Sequence, residues 1–574
     1  MSSAGEDVAA PYAQRGTEAP EGVAGRLGRA LLPLALILAV FAAFLPSLGN
    51  DFVAWDDDLN FTENPRYRGL SAAHLRWMLT TLHGGHYQPL SWITLGLDYV
   101  LWGMNPVGYH LTNLVIHAAN AVLCYHVIRV LLIRVLLART SRATGAGVRL
   151  AAAAGALFFA IHPLRVESVA WASERRDVLS GFFFLLAVLG YVRMQDGARA
   201  RWFVLSLVAF LLSLLSKAWG ITLPVVLLAL DWYPLRRRLR GRMLLEKVPY
   251  ALIALGFGVL AFRAQAPVEA MRTLAQHGTV ARAAQAAYGL CFYLGKTIVP
   301  RALSPLYLLE LQLDPARPRY VLAIAGVLGV TALLLVVRRR VPALLTAWVC
   351  YVAIVSPVLG FVQTGPQIAA DRYTYLACLP WAVVVAGGLA VLRAARVEGR
   401  LPVAGWYAAL GATAVTLVVF GALTFEQTRI WKDSRTLWEY VLRIDPTNYV
   451  AYTNRGYLRS MAGDAQGGLA DYDTALAIHP GYALAYYDRG TARQQAGALA
   501  PALADLSASI QLNPRDPRPW NNRGWVRERT GDLGGAAADY AEALRRAPAD
   551  YPGREMIVEN LAALRAVGVV PPSP

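Results

Sequence analysis

The sequence contains few charged residues for its length. Asp, Glu, Lys and Arg make up 16% of the 574 residues, whereas 56% are hydrophobic and the mean hydropathy is +0.38. Soluble globular domains carry about 25% charged residues. This deficit excludes an ordinary soluble protein and indicates that most of the chain lies in lipid.

Cysteine is also scarce. All four cysteines lie in apolar stretches, and none belongs to a spaced pair of the kind that binds a metal or closes a small disulfide-bonded domain. The sequence therefore predicts no disulfide framework, no metal site and no bound cofactor. His110 and His117 are seven residues apart and can share a helix face, but packing or hydrogen bonding is the favoured interpretation of both.

Acidic residues are fewer than basic ones, 38 against 55, and the formal net charge is +17. The basic residues do not form one patch, which argues against nucleic acid as a partner. They cluster instead in short loops between apolar runs, at 236–242, 338–340 and 393–400. This distribution is typical of the cytoplasmic loops of membrane proteins.

Eleven apolar runs are predicted to cross the bilayer. They lie near 30–48, 110–133, 150–164, 179–192, 202–216, 219–235, 248–263, 320–337, 342–360, 373–392 and 402–424. A cytoplasmic N-terminus places the basic loops inside, as expected for a bacterial-type inner membrane. A crossing at 281–299 would move Arg338–Arg340 outside, so we predict an interfacial or re-entrant helix there. Residues 1–29 are predicted to be disordered.

The C-terminal part of the chain repeats with a period of 34 residues. The period is carried by Pro446, Pro480, Pro514 and Pro548, by Gly456, Gly490 and Gly524, and by Tyr452, Tyr486 and Trp520. This pattern resembles the tetratricopeptide repeat, a helix-turn-helix unit that stacks into a solenoid. An odd number of crossings places this domain outside the cytoplasm, where its concave face is expected to bind extended polypeptide. The alternative for this face is self-assembly.

The predicted fold is therefore all-α, a polytopic membrane domain over 30–430 followed by a repeat domain over 431–567. The full repeats are 449–482, 483–516 and 517–550, after a half repeat that ends at Ile444. A capping helix near Glu555–Val567 and a tail over 568–574 complete the chain.

The topology places four groups of ionisable residues at the outer membrane face. They are Asp56–Asp58 in the first outer loop, His162, Arg165, Glu167, Glu174, Arg175, Arg176 and Asp177 in the second, Lys217 in the third, and Asp371 with Arg372 in a later one. The cytoplasmic loops carry mostly arginine. Ionisable residues at a membrane boundary usually mark a site, and carboxylates beside cations fit a base working next to a bound phosphate.

Several segments resemble the transmembrane and tetratricopeptide repeat O-mannosyltransferases, and they do so in order along the chain. They are Phe52–Asp58 with Glu63–Pro65, Gln88–Ser91, His110–His117, Phe159–Pro163 with Glu167–Ala170, Arg175–Ser180, Ser216–Lys217 with Gly220–Thr222, and Asp371–Tyr373. No single motif is decisive, but the ordered set is specific.

The resemblance implies a C-type glycosyltransferase fold. It also implies inverting transfer of a mannose-like hexose from a polyprenyl-phosphate donor to Ser or Thr hydroxyls of extracytoplasmic proteins. Asp56 or Asp57 matches the catalytic acid of the family loop. The positions assigned to the donor phosphate are Arg175, Lys217 and Arg372, and the supporting ones are Asp58, His162, Glu167, Arg176 and Asp177. The implied partners are the bilayer, the polyprenyl-linked donor and an acceptor polypeptide on the repeat domain.

Each assignment has a structural alternative. Asp56–Asp58 can be a solvated loop or a helix N-cap, His162 can close a helix end, and Lys217 can extend towards the membrane interface. Arg176 is an alternative to Arg175, since adjacent residues on a helix point in different directions. The alternative functions are a ligase or polymerase of lipid-linked oligosaccharide, and a non-enzymatic repeat scaffold that assembles envelope proteins.

Overall fold

The computed structural model describes residues 23–137, 145–265, 278–361, 365–548, 551 and 553–569. The chain divides into two compact units, Met1–Asp433 and Ser434–Pro574. Helices dominate both units, and the strands in the described residues form a single two-stranded sheet. The predicted all-α class is therefore confirmed.

The first unit contains sixteen α-helices within its described residues. They are α1 (Val23–Phe44), α2 (Ala72–Thr80), α3 (Pro89–Trp102), α4 (Pro106–Leu137), α5 (Ala146–Ala160), α6 (Val166–Ala170), α7 (Arg175–Arg193), α8 (Arg199–Ser216), α9 (Leu223–Trp232), α10 (Gly241–Leu245), α11 (Val248–Gln265), α12 (Thr279–Ile298), α13 (Pro318–Val337), α14 (Pro342–Val355), α15 (Leu379–Val397) and α16 (Val403–Thr428). Helix α1 begins seven residues before the predicted span, and residues 1–22 of the predicted disordered segment lie outside the described residues.

Seven helical segments in the described part of the chain are long and apolar enough to cross a membrane. They are Ala30–Gly49, Pro106–Val135, Arg199–Ser216, Gly241–Gln265, Pro318–Val337, Leu379–Val397 and Val403–Trp431. The pair Ala146–Ala160 and Pro163–Ala170, bent by 55°, forms an eighth if it is one broken span. The chain is therefore an integral membrane protein.

The other predicted spans coincide with helices that do not meet this criterion. Ala218–Trp232 and Pro342–Val358 are apolar but short. Helix α7 carries Arg175, Arg176 and Asp177 in its first turn. The segment 281–299 is a 20-residue helix, α12, outside the set of seven. The count of eleven crossings and the orientation of the termini therefore stay predictions.

The helix ends explain how distant loops reach one face of the first unit. Helices α1, α5 and α8 end at the same face at which α7 and α15 begin, so the loops after residues 49, 160 and 216 lie near those before 175 and 379. Strand β1 (Tyr307–Leu308) pairs antiparallel with β2 (Gln367–Ala369) and brings a further loop to this face. The residues before α15 are a short turn, Asp371–Thr374, although the sequence places a span from 373.

The second unit is a stack of helix pairs. Its helices are α17 (Ser434–Ile444), α18 (Tyr449–Met461), α19 (Ala465–Ile478), α20 (Ala483–Gln495), α21 (Leu499–Leu512), α22 (Pro517–Arg529), α23 (Leu533–Arg546) and α24 (Arg554–Ala566). Each predicted repeat contains one pair, α18–α19, α20–α21 or α22–α23, and successive pairs pack on each other. The predicted tetratricopeptide-like organisation is therefore confirmed.

The same ion pair recurs within each repeat and joins its two helices. Arg455 pairs with Asp471 at 2.6 Å, and the equivalent pairs are Arg489–Asp505 and Arg523–Asp539, both at 2.7 Å. A second arginine four residues later contacts each aspartate. Because the carboxylates are nearly buried, these pairs hold each helix pair in register.

A glycine in the first helix of each repeat allows the second helix to approach. A Cβ on Gly524 would lie 2.8 Å from Tyr540 Cε1, and one on Gly456 would lie 2.8 Å from Tyr472 Cε1. Gly534, in the second helix of the same repeat, has no atom within 4 Å of an added Cβ. Gly524 and Gly534 therefore differ in the side chain that they can accommodate.

We expect Gly524→Ala to destabilise the third repeat by about 1–3 kcal/mol, because the added methyl overpacks the contact with Tyr540. Gly534→Ala is the matched control, since it adds the same methyl in open space and gains helix propensity of up to about 1 kcal/mol. Hydrogen exchange of the α22 and α23 amides in the full-length protein measures both. Equal protection in the two variants would contradict the packing argument.

Candidate active site

Asp57 joins the first outer loop to the second. Its carboxylate accepts hydrogen bonds from the Val53 backbone N–H at 2.9 Å, the Ser173 backbone N–H at 3.0 Å and the Ser173 hydroxyl at 2.6 Å. Burial raises the pKa of Asp57 to about 7, although these hydrogen bonds oppose the shift. Asn60 adds a hydrogen bond of 3.0 Å to the same hydroxyl. Asp57 therefore positions the loop.

Asp56, the preceding residue, is placed differently. Its side chain is partly exposed, and within the described residues it makes no hydrogen bond or ion pair. Burial raises the pKa of Asp56 to about 6, against the opposing charges of Arg176 and Arg372. A carboxylate in dense surroundings that still reaches solvent lies in a recess. Asp56 is therefore free to take a proton from a molecule that enters there.

Asp58 begins a single π-helical turn, Asp58–Thr62. One of its carboxylate oxygens has no hydrogen-bond partner, and burial raises its pKa. Single turns of π-helix are frequent at functional sites. This turn begins directly after Asp57, and the three acids of the loop face different surroundings.

Glu174 gathers three cations from three separate segments. Its carboxylate contacts Arg176 Nη2 at 2.7 Å, Lys217 Nζ at 2.8 Å and Arg372 Nε at 3.5 Å. We call these three side chains the cation cluster. Burial alone would raise the pKa of Glu174, but the three cations hold it well below its usual range. Glu174 is fully buried, whereas each cation remains 9 to 19% exposed.

Two further carboxylates position the outer members of the cation cluster. Glu167 pairs with the guanidinium of Arg372 and accepts its backbone N–H at 2.7 Å. Asp177 contacts Lys217 Nζ at 2.6 Å and accepts a hydrogen bond from Ser168 at 2.9 Å. The cations are thus held by side chains on their protein side.

Aromatic rings lie against the same cations. Arg372 lies 5.5 Å from the centroid of the Trp171 ring and 5.1 Å from that of Tyr373. Lys217 Nζ lies 5.0 Å from the Trp219 ring. Such contacts stabilise a cation where water is scarce, so the rings help to hold Arg372 and Lys217 in place.

Arg175 lies apart from the cation cluster. Its side chain is fully buried, pairs with Asp98 at 2.5 Å, and donates to the Asn113 side chain and to the Tyr109 carbonyl, the latter at 2.9 Å. The structure brings together Arg176, Lys217 and Arg372, and does not bring Arg175 into contact with Glu174. The two arginines are adjacent at the start of α7 and therefore point in different directions.

Two of the three histidines emphasised by the sequence, His162 and His117, are engaged in packing and hydrogen bonds. His162 receives the Leu164 backbone N–H at 3.2 Å and contacts the Thr297 carbonyl at 3.0 Å, and its ring lies 4.4 Å from that of Phe420. His117 bridges the Tyr375 hydroxyl at 2.7 Å and the Ala160 carbonyl at 2.9 Å. Among the described residues, no group of three His, Cys, Asp or Glu side chains is placed to hold a metal ion.

The site thus combines one unengaged carboxylate with a cluster of partly exposed cations. Such a pair can remove a proton from one group while stabilising negative charge that develops on another. Sequence reasoning did not assign the central role to Glu174 or the loop-positioning role to Ser173. The only local signal for Glu174 is its position directly before Arg175 and Arg176.

Curated relatives match part of the chain. The human protein O-mannosyl-transferase TMTC4 is 35% identical over 144 residues, which is 24% of this chain and 19% of that protein. The Drosophila melanogaster protein O-mannosyl-transferase Tmtc1 is 36% identical over 138 residues, 24% of this chain and 14% of that one. Human protein O-mannosyl-transferase TMTC2 is 33% identical over 166 residues, which is 28% of this chain and 18% of that protein. The resemblance indicated by the motifs is therefore confirmed, although the chain matches less than a fifth of each relative's length.

Similarity to solved structures is weak, and no family model matches the chain. The crystal structure of ArnT from Cupriavidus metallidurans, bound to undecaprenyl phosphate, aligns over 95% of this chain and 89% of that chain, with 14% identity and a TM-score of 0.36. The crystal structure of the APC/C hetero-tetramer Cut9–Hcn1 aligns over 88% of this chain and 98% of that chain, with 13% identity and a TM-score of 0.25. Both scores are too low to support a conclusion about this chain.

We expect Glu174→Gln to lower the free energy of unfolding by about 3–5 kcal/mol, because it leaves buried cations without their shared carboxylate. Inorganic pyrophosphate should raise the melting temperature of this variant more than that of the wild type, since an added anion replaces the lost charge.

Glu426→Gln is the control for this substitution. It removes the carboxylate of a surface pair in which Glu426 and Arg429 are 67% and 59% exposed, and surface pairs contribute about 0–1 kcal/mol. Thermal unfolding in detergent measures all three proteins. Equal losses of unfolding free energy in Glu174→Gln and Glu426→Gln would contradict a special role for Glu174.

Proposed function

We propose that the chain is a membrane glycosyltransferase. It transfers a mannose-like hexose from a polyprenyl-phosphate donor to Ser or Thr hydroxyls of extracytoplasmic proteins, with inversion. The observation that supports this function best is the unengaged Asp56 carboxylate beside the cation cluster around Glu174. The similarity to protein O-mannosyl-transferases supports the same class of reaction.

In the proposed reaction Asp56 is the general base. The acceptor hydroxyl oxygen attacks the anomeric carbon of the sugar, and its proton passes to the Asp56 carboxylate. The bond between that carbon and the donor phosphate oxygen breaks, and the polyprenyl phosphate leaves with the bonding electrons. One displacement inverts the anomeric centre, and the leaving phosphate needs no proton.

The cation cluster stabilises the charge that the leaving phosphate gains. We assign the phosphate-binding role to Arg176 instead of Arg175, because Arg175 forms a buried ion pair with Asp98. Arg176, Lys217 and Arg372 each remain partly exposed, so a bound phosphate can reach them. Charge-assisted hydrogen bonds in a site with little water stabilise an anion more than they would in bulk water.

Asp57 has a positioning role in this scheme. Its three hydrogen bonds fix the backbone on both sides of the site, and one of them reaches Ser173, the residue before Glu174. Because Asp57 is buried and both its oxygens are engaged, an entering hydroxyl reaches it less easily than it reaches the partly exposed Asp56. The acceptor polypeptide is proposed to bind the repeat domain, which presents it to the membrane domain.

Mass spectrometry of envelope proteins tests the proposal in cells that lack this chain. We expect complementation with the wild type to return a hexose-sized addition on Ser or Thr. Asp56→Asn should reduce it by roughly 10²–10⁴-fold, since a positioned base contributes that factor. Asp51→Asn, an exposed acid in the same loop, is the control and should behave like the wild type.

Other outcomes of this measurement lead to other functions. Transfer of a whole glycan block favours an oligosaccharide ligase. A glycosylation profile that is the same in all strains, at equal expression, contradicts a protein glycosyltransferase. In that case the repeat scaffold becomes the leading function.

The transfer rate should depend on pH through Asp56. A base acts when it is ionised, so we expect kcat/KM to fall as the pH drops through about 6, the raised pKa of this carboxyl. Arg176 lowers that pKa, so Arg176→Gln should move the acidic limb to higher pH in addition to slowing transfer. Arg76→Gln, an exposed arginine of the same loop, should leave the limb unchanged. An unmoved limb in Arg176→Gln would exclude Asp56 as the titrating base.

A further inference from the structure

An apolar groove lies at the other end of the membrane helices from the candidate active site. It has a volume of about 220 Å³ and lies between α1, α5, α15 and α16. Small residues on α5, from Gly147 to Ala154, form its floor, and leucines of the other helices form its walls. Both α1 and α5 begin near the groove and end at the Asp56 face. The end of the groove lined by Gly147 and Arg393 therefore lies towards the predicted cytoplasmic surface.

One cation lies at the mouth of this groove. Arg393 is exposed near the end of α15, and within the described residues it makes no hydrogen bond or ion pair. Most exposed arginines are simply solvated, but this one lies among apolar side chains on a helix long and apolar enough to cross the bilayer. An unpaired cation in that setting attracts an anion.

The sequence makes room for Arg393 at this position. A Cβ on Gly147 would lie 1.9 Å from Arg393 Nε and 2.2 Å from its Cδ. The side chain therefore crosses the start of α5 directly over the glycine. Any larger residue at 147 would displace the guanidinium from the mouth of the groove.

The length and lining of the groove fit an acyl chain. On α5 it runs from Gly147 to Leu157, ten residues or about 15 Å along the helix. Trp406 lies at the same end of the groove as Arg393, and tryptophan is enriched at the headgroup level of membranes. The lining thus changes from apolar at depth to cationic and aromatic at the surface.

We propose that this groove binds one anionic phospholipid of the cytoplasmic leaflet, with an acyl chain along α5 and the phosphate at Arg393. The anionic surface of that leaflet supplies such lipids in excess. The bound lipid would fill the space between α1, α5 and α16, and so fasten the N-terminal helix to the rest of the membrane domain. This site is independent of the proposed transferase activity.

Native mass spectrometry of the full-length protein tests the proposal with phosphatidylglycerol and phosphatidylcholine as probes. We expect the wild type to retain one phosphatidylglycerol in preference to phosphatidylcholine. Arg393→Gln should reduce that preference about fivefold, the factor expected for one basic side chain at an anionic surface. Arg396→Gln removes an equal charge one turn further along α15, outside the groove, and should keep the preference.

A second variant tests the acyl-chain part of the groove. Ala154→Phe fills it and should abolish retention of either lipid, at an unchanged melting temperature in lipid-free detergent. Retention without preference in the wild type, or equal losses in the two arginine variants, would overturn the proposal. Displacement of phosphatidylglycerol by polyprenyl phosphate at equal concentration would overturn it as well, and would identify the groove as a donor-lipid site.

Discussion

The membrane domain depends at its outer face on a single buried carboxylate. Glu174 is contacted by Arg176, Lys217 and Arg372, which come from the start of one helix, the end of another and a turn after a short strand. Like charges brought together in a region of low dielectric repel strongly. Glu174 is the carboxylate that all three segments share, and it offsets this repulsion. The fold of the outer loops and the charge of the site therefore have the same origin.

Adjacent acids in the first loop acquire opposite roles from their surroundings. Asp57 accepts three hydrogen bonds and fixes the loop to Ser173, whereas the Asp56 side chain accepts none within the described part of the chain and lies beside the cation cluster. The two roles depend on each other, because Ser173 immediately precedes Glu174. The same backbone that places the free carboxylate also places the anion that gathers the cations. Under the proposed function, the base and the phosphate-binding groups are thus positioned together.

The sequence predicts those features that depend on local pattern. The 34-residue period yields the three helix pairs with their boundaries, and apolar runs locate the membrane helices, because both depend on neighbouring residues. Long-range pairing is not encoded in this way. Asp98, far along the chain, captures Arg175 and leaves Arg176 for the cation cluster. No local signal distinguishes two adjacent arginines, or shows that Asp57 and not Asp56 faces Ser173.

The charge balance of the site bears on how a phosphate would bind. Glu174 neutralises part of the charge of Arg176, Lys217 and Arg372, while Glu167 and Asp177 neutralise more. A cation cluster whose charge is neutralised by carboxylates attracts a distant anion only weakly. Its N–H groups still donate hydrogen bonds to an anion that is in direct contact. A site of this kind stabilises charge that appears during reaction more than charge already present on the ground-state donor. Under the proposed function, that difference is what raises the rate instead of merely tightening substrate binding.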